Sequence, residues 1–309
     1  MKKYINYLIY NIGGIILNSV LAVIVTYNVD EKFKVRIERL KDKVEEIVVV
    51  DNGSNETTIE MLKTLQGLNV IYLKENMGIA YALNRGIEYG ISKGYKWILT
   101  LDHDSIVTQN MISKMLQCYN DLEETLKSKT AMLVPVHIEE KESTNEQQYE
   151  MNIEKGYNEV LTEITSGALT KTDVYKSMGL YDEKLFIDLV DHDYCLRLNK
   201  NGLKVIQVKD AILVHNLGES TKKNFLGLKF TPTNHSALRR YYMTRNRMYI
   251  WNKYKNEFPQ WVSVDKRRFI TENIKIVLFE ADKLNKLKFI KKGISDYKNN
   301  KFGNFKDNN

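Results

Sequence analysis

At 309 residues, with an ordinary apolar content and only three prolines, the chain can bury a full core as one large domain or one domain plus an appendage. Its two cysteines, Cys118 and Cys195, sit far apart inside helical patterns, which excludes a disulfide framework and points to a reducing compartment. The net charge of +7 sits at the end: residues 266–309 carry twelve Lys/Arg against five Asp/Glu and the rest is neutral, so nucleic acid, anionic lipid and simple solubility all remain open for that tail.

Residues 4–25 are rich in Ile, Leu, Val and Tyr, but Asn6, Asn11, Gly13, Gly14, Asn18 and Ser19 interrupt them and no small-residue cleavage site follows. The expectation is therefore a soluble, cytoplasmic chain without an export signal. Val20–Thr26 is a β-branched run that reads as a first buried strand, followed by Tyr27–Asn28. Glu31–Val44 has apolar residues at Phe33, Ile37, Leu40 and Val44, which is helical spacing. Glu46–Val50 is a second strand ending in Asp51–Asn52–Gly53–Ser54. Then come a helix over Glu56–Leu65, a strand over Val70–Leu73 and a helix over Gly78–Ser92. A fourth strand, Lys96–Leu101, ends in Asp102–His103–Asp104–Ser105. Strands alternating with helices at this spacing predict an α/β fold built of right-handed βαβ units around a mostly parallel sheet.

In such a sheet, ligands gather at the carboxyl ends of the strands. Four successive strand ends carry Thr26/Asn28, Asp51/Ser54, Asn76 and Asp102/Asp104. Asp51 can accept from an N–H such as the imide of a pyrimidine base. Ser54 and Asn55 are what helix capping alone would select. Asn76–Met77–Gly78 lets a backbone approach a ligand at a helix start, where N–H groups favour phosphate. Arg85 either reaches the same anion or makes a surface salt bridge. Asp102 and Asp104, spaced i, i+2, are two hard oxygen ligands able to share a divalent cation and the phosphates it bridges. A solvated acidic turn is the bland reading of the same pair.

In the second half, Thr165–Ser166–Gly167 leads through Ala168–Leu169 to a short helix stopped by Gly179. Asp188, Asp191 and Asp193, with His192, then crowd the start of a helix running to Gly202. The helix macrodipole accounts for one or two of these acids, and helical spacing puts Asp188 and Asp191 on one face while Asp193 turns away. Lys204–Val208 and Ala211–Val214 are strand-like, and His215 follows them as either a metal ligand or a hydrogen-bonded structural histidine. Residues 234–255 read as a helix interleaving Arg239, Arg240, Arg245 and Arg247 with Tyr241, Tyr242 and Tyr249. That pattern fits a face packed on the domain with arginines offered to a diphosphate better than it fits nucleic acid. From Ile270, an apolar stripe through Ile274, Val277, Leu278, Ala281, Leu284 and Leu287 is flanked by lysines. It suits a helix packed on the domain, a homodimer through the C-terminal helices, or an amphipathic helix lying on anionic lipid.

Taken in order, Val25–Asn28, Val50–Ser54, Asn76–Asn84, Leu101–Ser105, Phe186–Arg197, His215–Gly218 and Arg239–Tyr242 with Arg245–Asn246 resemble the family 2 glycosyltransferases of GT-A fold, within them the bacterial rhamnosyltransferase-like branch. One departure is that the usual Glu-Asp pair appears as Val190–Asp191. The resemblance implies a GT-A catalytic domain over residues 1–233, with a nucleotide-sugar half at about 20–105 and an acceptor half at 106–233, and a basic helical extension over 234–309. It implies that Thr26, Asn28, Asp51, Asn76, Gly78, Arg85 and Asp102 hold a nucleotide-diphosphate sugar. Asp102, Asp104 and His215 hold Mg2+ or Mn2+, and Asp191 takes the acceptor's proton. The expected reaction is inverting transfer, with dTDP-rhamnose the leading donor and a saccharide, lipid-linked at the inner face of the membrane, as acceptor. Two other readings compete: a haloacid-dehalogenase-type phosphatase with Asp102 as nucleophile, and a nucleotide-sugar-binding homologue without activity.

Overall fold

A computed structural model describes residues 19–139, 154–215, 223–225, 228–230 and 234–305. The chain divides into two compact units: Met1–Tyr181 with Tyr194–Asn216, and Asp182–Asp193 with Leu217–Asn309.

The first unit is an α/β sandwich around one sheet. Its strands are β1 (Val20–Thr26), β2 (Glu46–Asp51), β3 (Asn69–Tyr72), β4 (Trp97–Asp102), β5 (Ile106–Val107), β6 (Thr130–Glu139), β7 (Tyr157–Val160), β8 (Ala168–Lys171) and β9 (Lys204–His215), ordered β3-β2-β1-β4-β8-β6-β9-β5 with β7 on β9. The strands β3, β2, β1 and β4 are mutually parallel, and β8 joins β4 antiparallel. Every residue of β1 is buried, as expected of a central strand covered on both faces. The helices of this unit are α1 (Lys32–Lys41), α2 (Glu56–Thr64), α3 (Ile79–Lys93), α4 (Met111–Asp121), α5 (Glu124–Lys129), α6 (Thr172–Met178) and most of α7 (Val190–Lys200). Phe33, Ile37 and Leu40 of α1 join the core on the expected helical face. Helix α3 lies close on the sheet, since a Cβ at Gly86 would stand 2.3 Å from Val23 Cγ1.

Register decides where the rim falls. Thr26 pairs with Asp51, Asp51 with Tyr72, and Val25 with Asp102. The carboxyl ends of four strands are therefore level. The two strand-like pieces over Lys204–Val208 and Ala211–Val214 form one strand, whose pairing with β6 absorbs a bulge between Val134 and Val136.

The second unit is helical: α8 (Ala237–Tyr254), α9 (Pro259–Phe279) and α10 (Lys283–Lys298), together with a short hairpin of β10 (Lys223–Phe225) and β11 (Leu228–Phe230). Ser236 caps α8 by accepting from the Arg239 N–H at 3.2 Å. The stripe from Ile270 is not one helix. Glu280 is extended and Asp282 is left-handed, which separates α9 from α10. Three of the four α8 arginines are not offered to a diphosphate either, and Arg239 alone stays half exposed. Arg240 bonds Glu280 at 2.8 Å, Arg247 clasps Glu272 at 2.6 and 2.9 Å, and Arg245 donates to the carbonyls of Gly303, Lys184 and Leu185. Glu280 also receives Lys286 at 2.9 Å. Burying these cations requires such partners, so the basic–aromatic pattern of α8 is an internal one.

Candidate active site

In the first unit, the rim after β1, β2 and β3 is a connected set of polar side chains. Asp51 is fully buried. Its Oδ1 accepts from Thr26 Oγ1 at 3.1 Å and Ser54 Oγ at 2.5 Å, and its Oδ2 accepts from the Ser54 N–H at 3.0 Å. Asn28, at φ +52, donates its N–H to Ser54 Oγ and accepts from the Asn55 N–H through Oδ1. Asn55 caps α2 by accepting from the Thr58 N–H. Asn52 links this turn to the next: its Nδ2 donates to Asn76 Oδ1 at 3.1 Å and its Oδ1 accepts from the Met77 N–H at 2.9 Å. Asn76 Oδ1 also accepts from the Gly78 N–H at 3.0 Å, immediately before α3. The two turns touch closely at Gly53, where a Cβ would meet the Glu75 backbone at 2.4 Å and φ is +77. Only glycine fits there.

Thr26, Asn28, Asp51, Asn76 and Gly78 are thus brought together with Ser54 of the same rim, and Asn52 is the link that sequence reasoning does not single out. Arg85, two turns into α3, pairs with Glu88 at 2.9 Å and stacks on Tyr81.

After β4 the chain makes a turn at Asp102–Ser105, closed by the Ser105 N–H on the Asp102 carbonyl. Ser166, just before β8, anchors it: Ser166 Oγ accepts from the Asp102 N–H at 3.1 Å and shares a 2.7 Å bond with Ser105 Oγ. Arg36 of α1 reaches the His103 carbonyl at 3.4 Å from a pair with Asp30. Ser166 and Arg36 were not identified from sequence, because their contacts span 61–67 residues; Thr165–Ser166–Gly167 before a strand was the one local signal. Asp102 and Asp104 are both half-buried. Two half-buried carboxylates on a braced turn are a hard-oxygen donor set, suited to Mg2+ or Mn2+. Among the described residues no three His, Cys, Asp or Glu side chains form a ready cage. His215 ends β9 opposite Glu139, and its side chain lies outside the described set.

In the second unit, residues 182–193 form a tightly held turn. Phe186, Asp188 and Leu189 all have positive φ, from +63 to +66, a strained backbone for side-chain-bearing residues. Asn246 holds it: its Nδ2 donates to the carbonyls of Leu185, Ile187 and Asp188 at 2.8–2.9 Å. Asp188 precedes α7 rather than sitting on it, so the expected i, i+3 helical face with Asp191 does not form. Its carboxylate is held by Arg239 at 3.0 Å. Burial raises its pKa, an effect that Arg239 only partly offsets and Asp191 reinforces.

Asp193 is fully buried, accepting from Lys253 Nζ at 2.6 Å and the Tyr254 hydroxyl at 3.0 Å. It ties residues 182–193 to α8 within this unit. Asp191, by contrast, is one-fifth exposed. His192 donates its backbone N–H to Asp191 Oδ1 at 2.7 Å, and His192 Nδ1 lies 2.8 Å from the same oxygen. Burial alone would raise the Asp191 pKa, but the charge and both hydrogen bonds of His192 outweigh it and leave the carboxyl below its ordinary value. Of the three acids, Asp191 alone combines access with a firmly ionised carboxylate.

The profile of the family described as Glycosyl transferase family 2 matches residues 21–179. The chain is 32% identical over 289 residues to the dTDP-rhamnosyl transferase RfbF of Shigella flexneri, covering 90% of this chain and 93% of that one. Among solved structures, S. aureus TarS 1–349 superposes with a TM-score of 0.58 at 14% identity, over 90% of this chain and 80% of that one. GalNAc-T7 with UDP, GalNAc and Mn2+ gives 0.57 at 15% identity, over 91% of this chain, which spans 56% of that longer one. These two establish the fold, a GT-A-like mixed sheet with flanking helices.

Proposed function

The chain belongs to glycosyl transferase family 2, and from that premise we propose that this glycosyltransferase moves L-rhamnose from dTDP-rhamnose to a saccharide acceptor in cell-surface polysaccharide or O-antigen assembly. The observation that carries the donor is the 32% identity to a dTDP-rhamnosyl transferase over nearly the full length of both chains. A phosphatase is not favoured, since Asp102 closes the fourth strand of the sheet instead of opening the domain.

The rim offers a division of labour. Thr26, Asn28, Asp51, Asn76 and Gly78 receive the nucleoside end, with Arg85 toward the phosphates and Asp102 toward the ribose. Asp102 and Asp104, with His215, would hold a divalent cation. When bound, Mg2+ or Mn2+ supplies positive charge to the departing diphosphate without protonating it. Asp191 takes the acceptor hydroxyl's proton as that oxygen bonds the anomeric carbon and the bond to the diphosphate breaks, so configuration inverts. Both His192 bonds fall on Oδ1, and Oδ2 is the oxygen assigned to the proton. A partly accessible, ionised carboxylate held in one orientation suits a general base.

No helix among the described residues is long and apolar enough to cross a membrane. The reading places the enzyme in the cytoplasm, at the inner face of the membrane where a lipid-linked acceptor is presented. A thermal-shift panel of nucleotide sugars with and without Mn2+ tests the donor. The proposal expects dTDP-rhamnose with metal to raise Tm by several degrees, as saturating ligand does. A larger metal-dependent shift with a UDP-sugar would replace rhamnose as the transferred sugar.

A further inference from the structure

Helix α9 has two unlike halves. Its inner half carries Val262, Asp265, Phe269, Glu272 and Ile276, and it docks on α8 through bonds from Arg247 and Trp251 to Glu272 and Asp265. Its outer half is apolar yet open to solvent. Val264, Ile270, Ile274, Val277 and Leu278 are each 46–59% exposed, and Leu284 at the start of α10 is 86% exposed. Arg267, Ile270, Ile274 and Val277 follow i, i+3, i+7, i+10; Val264, Arg268, Lys275 and Leu278 follow i, i+4, i+11, i+14. These are two adjacent stripes of one face. Scattered exposed aliphatics are ordinary, but a continuous set on one helix marks a contact surface.

The charges on that face identify the partner. Arg267, Arg268 and Lys275 stand beside the aliphatics, and among the described residues none of the three engages a carboxylate. The acids of α9, Asp265 and Glu272, are both turned inward onto Arg247. A second copy of the chain seated on this face would set cations against cations, which disfavours the contact. Nucleic acid would match the cations and leave the aliphatics unsatisfied. An anionic bilayer matches both, because aliphatic side chains enter the acyl boundary while flanking Lys and Arg meet the headgroups.

We propose that the outer face of α9 docks the protein on an anionic lipid bilayer. This deepens the proposed placement at the inner face of the membrane by naming the surface that makes the contact, and it uses none of the residues assigned to sugar transfer.

The test is co-sedimentation of the full chain with vesicles of phosphatidylcholine containing phosphatidylglycerol, against phosphatidylcholine alone, at low and high salt. Binding is expected to phosphatidylglycerol vesicles and to weaken with salt. A basic residue near such a surface contributes about fivefold in affinity, so Arg267→Gln/Arg268→Gln/Lys275→Gln should weaken binding about a hundredfold. Ile274→Ser/Leu278→Ser should weaken it at least about tenfold. All five positions are on the outside of the helix, and circular dichroism should be unchanged. Absence of binding by the wild-type chain, equal binding to neutral vesicles, or variants that bind like wild type would overturn the proposal. So would a stable dimer that the serine variant dissociates, since the face would then belong to a second copy. None of these readouts involves sugar transfer, so failure here and failure of the rhamnosyltransferase reading are separable.

Discussion

His192 binds the Asp191 carboxylate twice, through its backbone N–H at 2.7 Å and its ring Nδ1 at 2.8 Å, with both bonds on Oδ1. One neighbour therefore fixes the orientation of the carboxylate and keeps it ionised against the pull of burial. His192→Ala keeps the backbone bond and removes the ring. A charge-assisted hydrogen bond contributes about 1.5 kcal/mol or more, so kcat should fall about tenfold. The acid limb of the kcat/KM profile should also move up toward the ordinary carboxylate range. A profile that does not move would mean His192 is no positioning residue for Asp191.

The braced turn after β4 gives the second prediction. Asp104→Ala should abolish transfer and remove the metal-dependent part of nucleotide affinity, while affinity measured in EDTA stays at the wild-type level. Calorimetric titration of the nucleotide with and without Mn2+ reads both. Full activity in this variant, or wild-type turnover in excess EDTA, contradicts a cation held by Asp102 and Asp104.

Much of this arrangement is legible in the chain, for a local reason. A buried parallel strand announces itself by a β-branched run, and its last residue must be the one that leaves the sheet, so Thr26, Asp51 and Asp102 could be placed on one rim before any register was known. The braces could not. Ser166 reaches Asp102 and Arg36 reaches His103 across more than sixty residues, and no periodicity encodes such a contact. Residues 182–193 group with the C-terminal helices through Asn246 and Arg245 for the same reason. The i, i+3 spacing of Asp188 to Asp191 suggests a shared helix, but positive φ at Asp188 and Leu189 keeps both outside it and the helix starts at Val190. The arginines of α8 looked free because Glu272 and Glu280 lie 25–40 residues away.

A pH dependence follows from His235, just before the α8 cap. Burial, with Arg239 and Arg240 nearby, lowers its pKa from 6.5 to about 4. The folded state then binds this proton less readily than the unfolded chain. The stabilisation is complete above pH 6.5 and is lost as pH falls toward 4. For a partly exposed ring this amounts to on the order of 1–2 kcal/mol. Tm should decline between pH 6.5 and 5 in the wild-type chain, and His235→Gln should flatten that decline. An unchanged slope in the variant contradicts the assignment.

The most direct test of the whole account is Asp191→Asn, which keeps size and hydrogen bonding but removes proton acceptance. Steady-state transfer from dTDP-rhamnose should fall about 10²–10⁴-fold in kcat, the contribution of a positioned general base, with nucleotide-sugar affinity nearly unchanged. Asp193→Asn serves as the comparison: it loosens the tie to Lys253 and Tyr254 and lowers Tm, while kcat per folded molecule holds. Near-normal turnover by Asp191→Asn, with the loss appearing in Asp188→Asn or Asp193→Asn instead, would contradict Asp191 as the base.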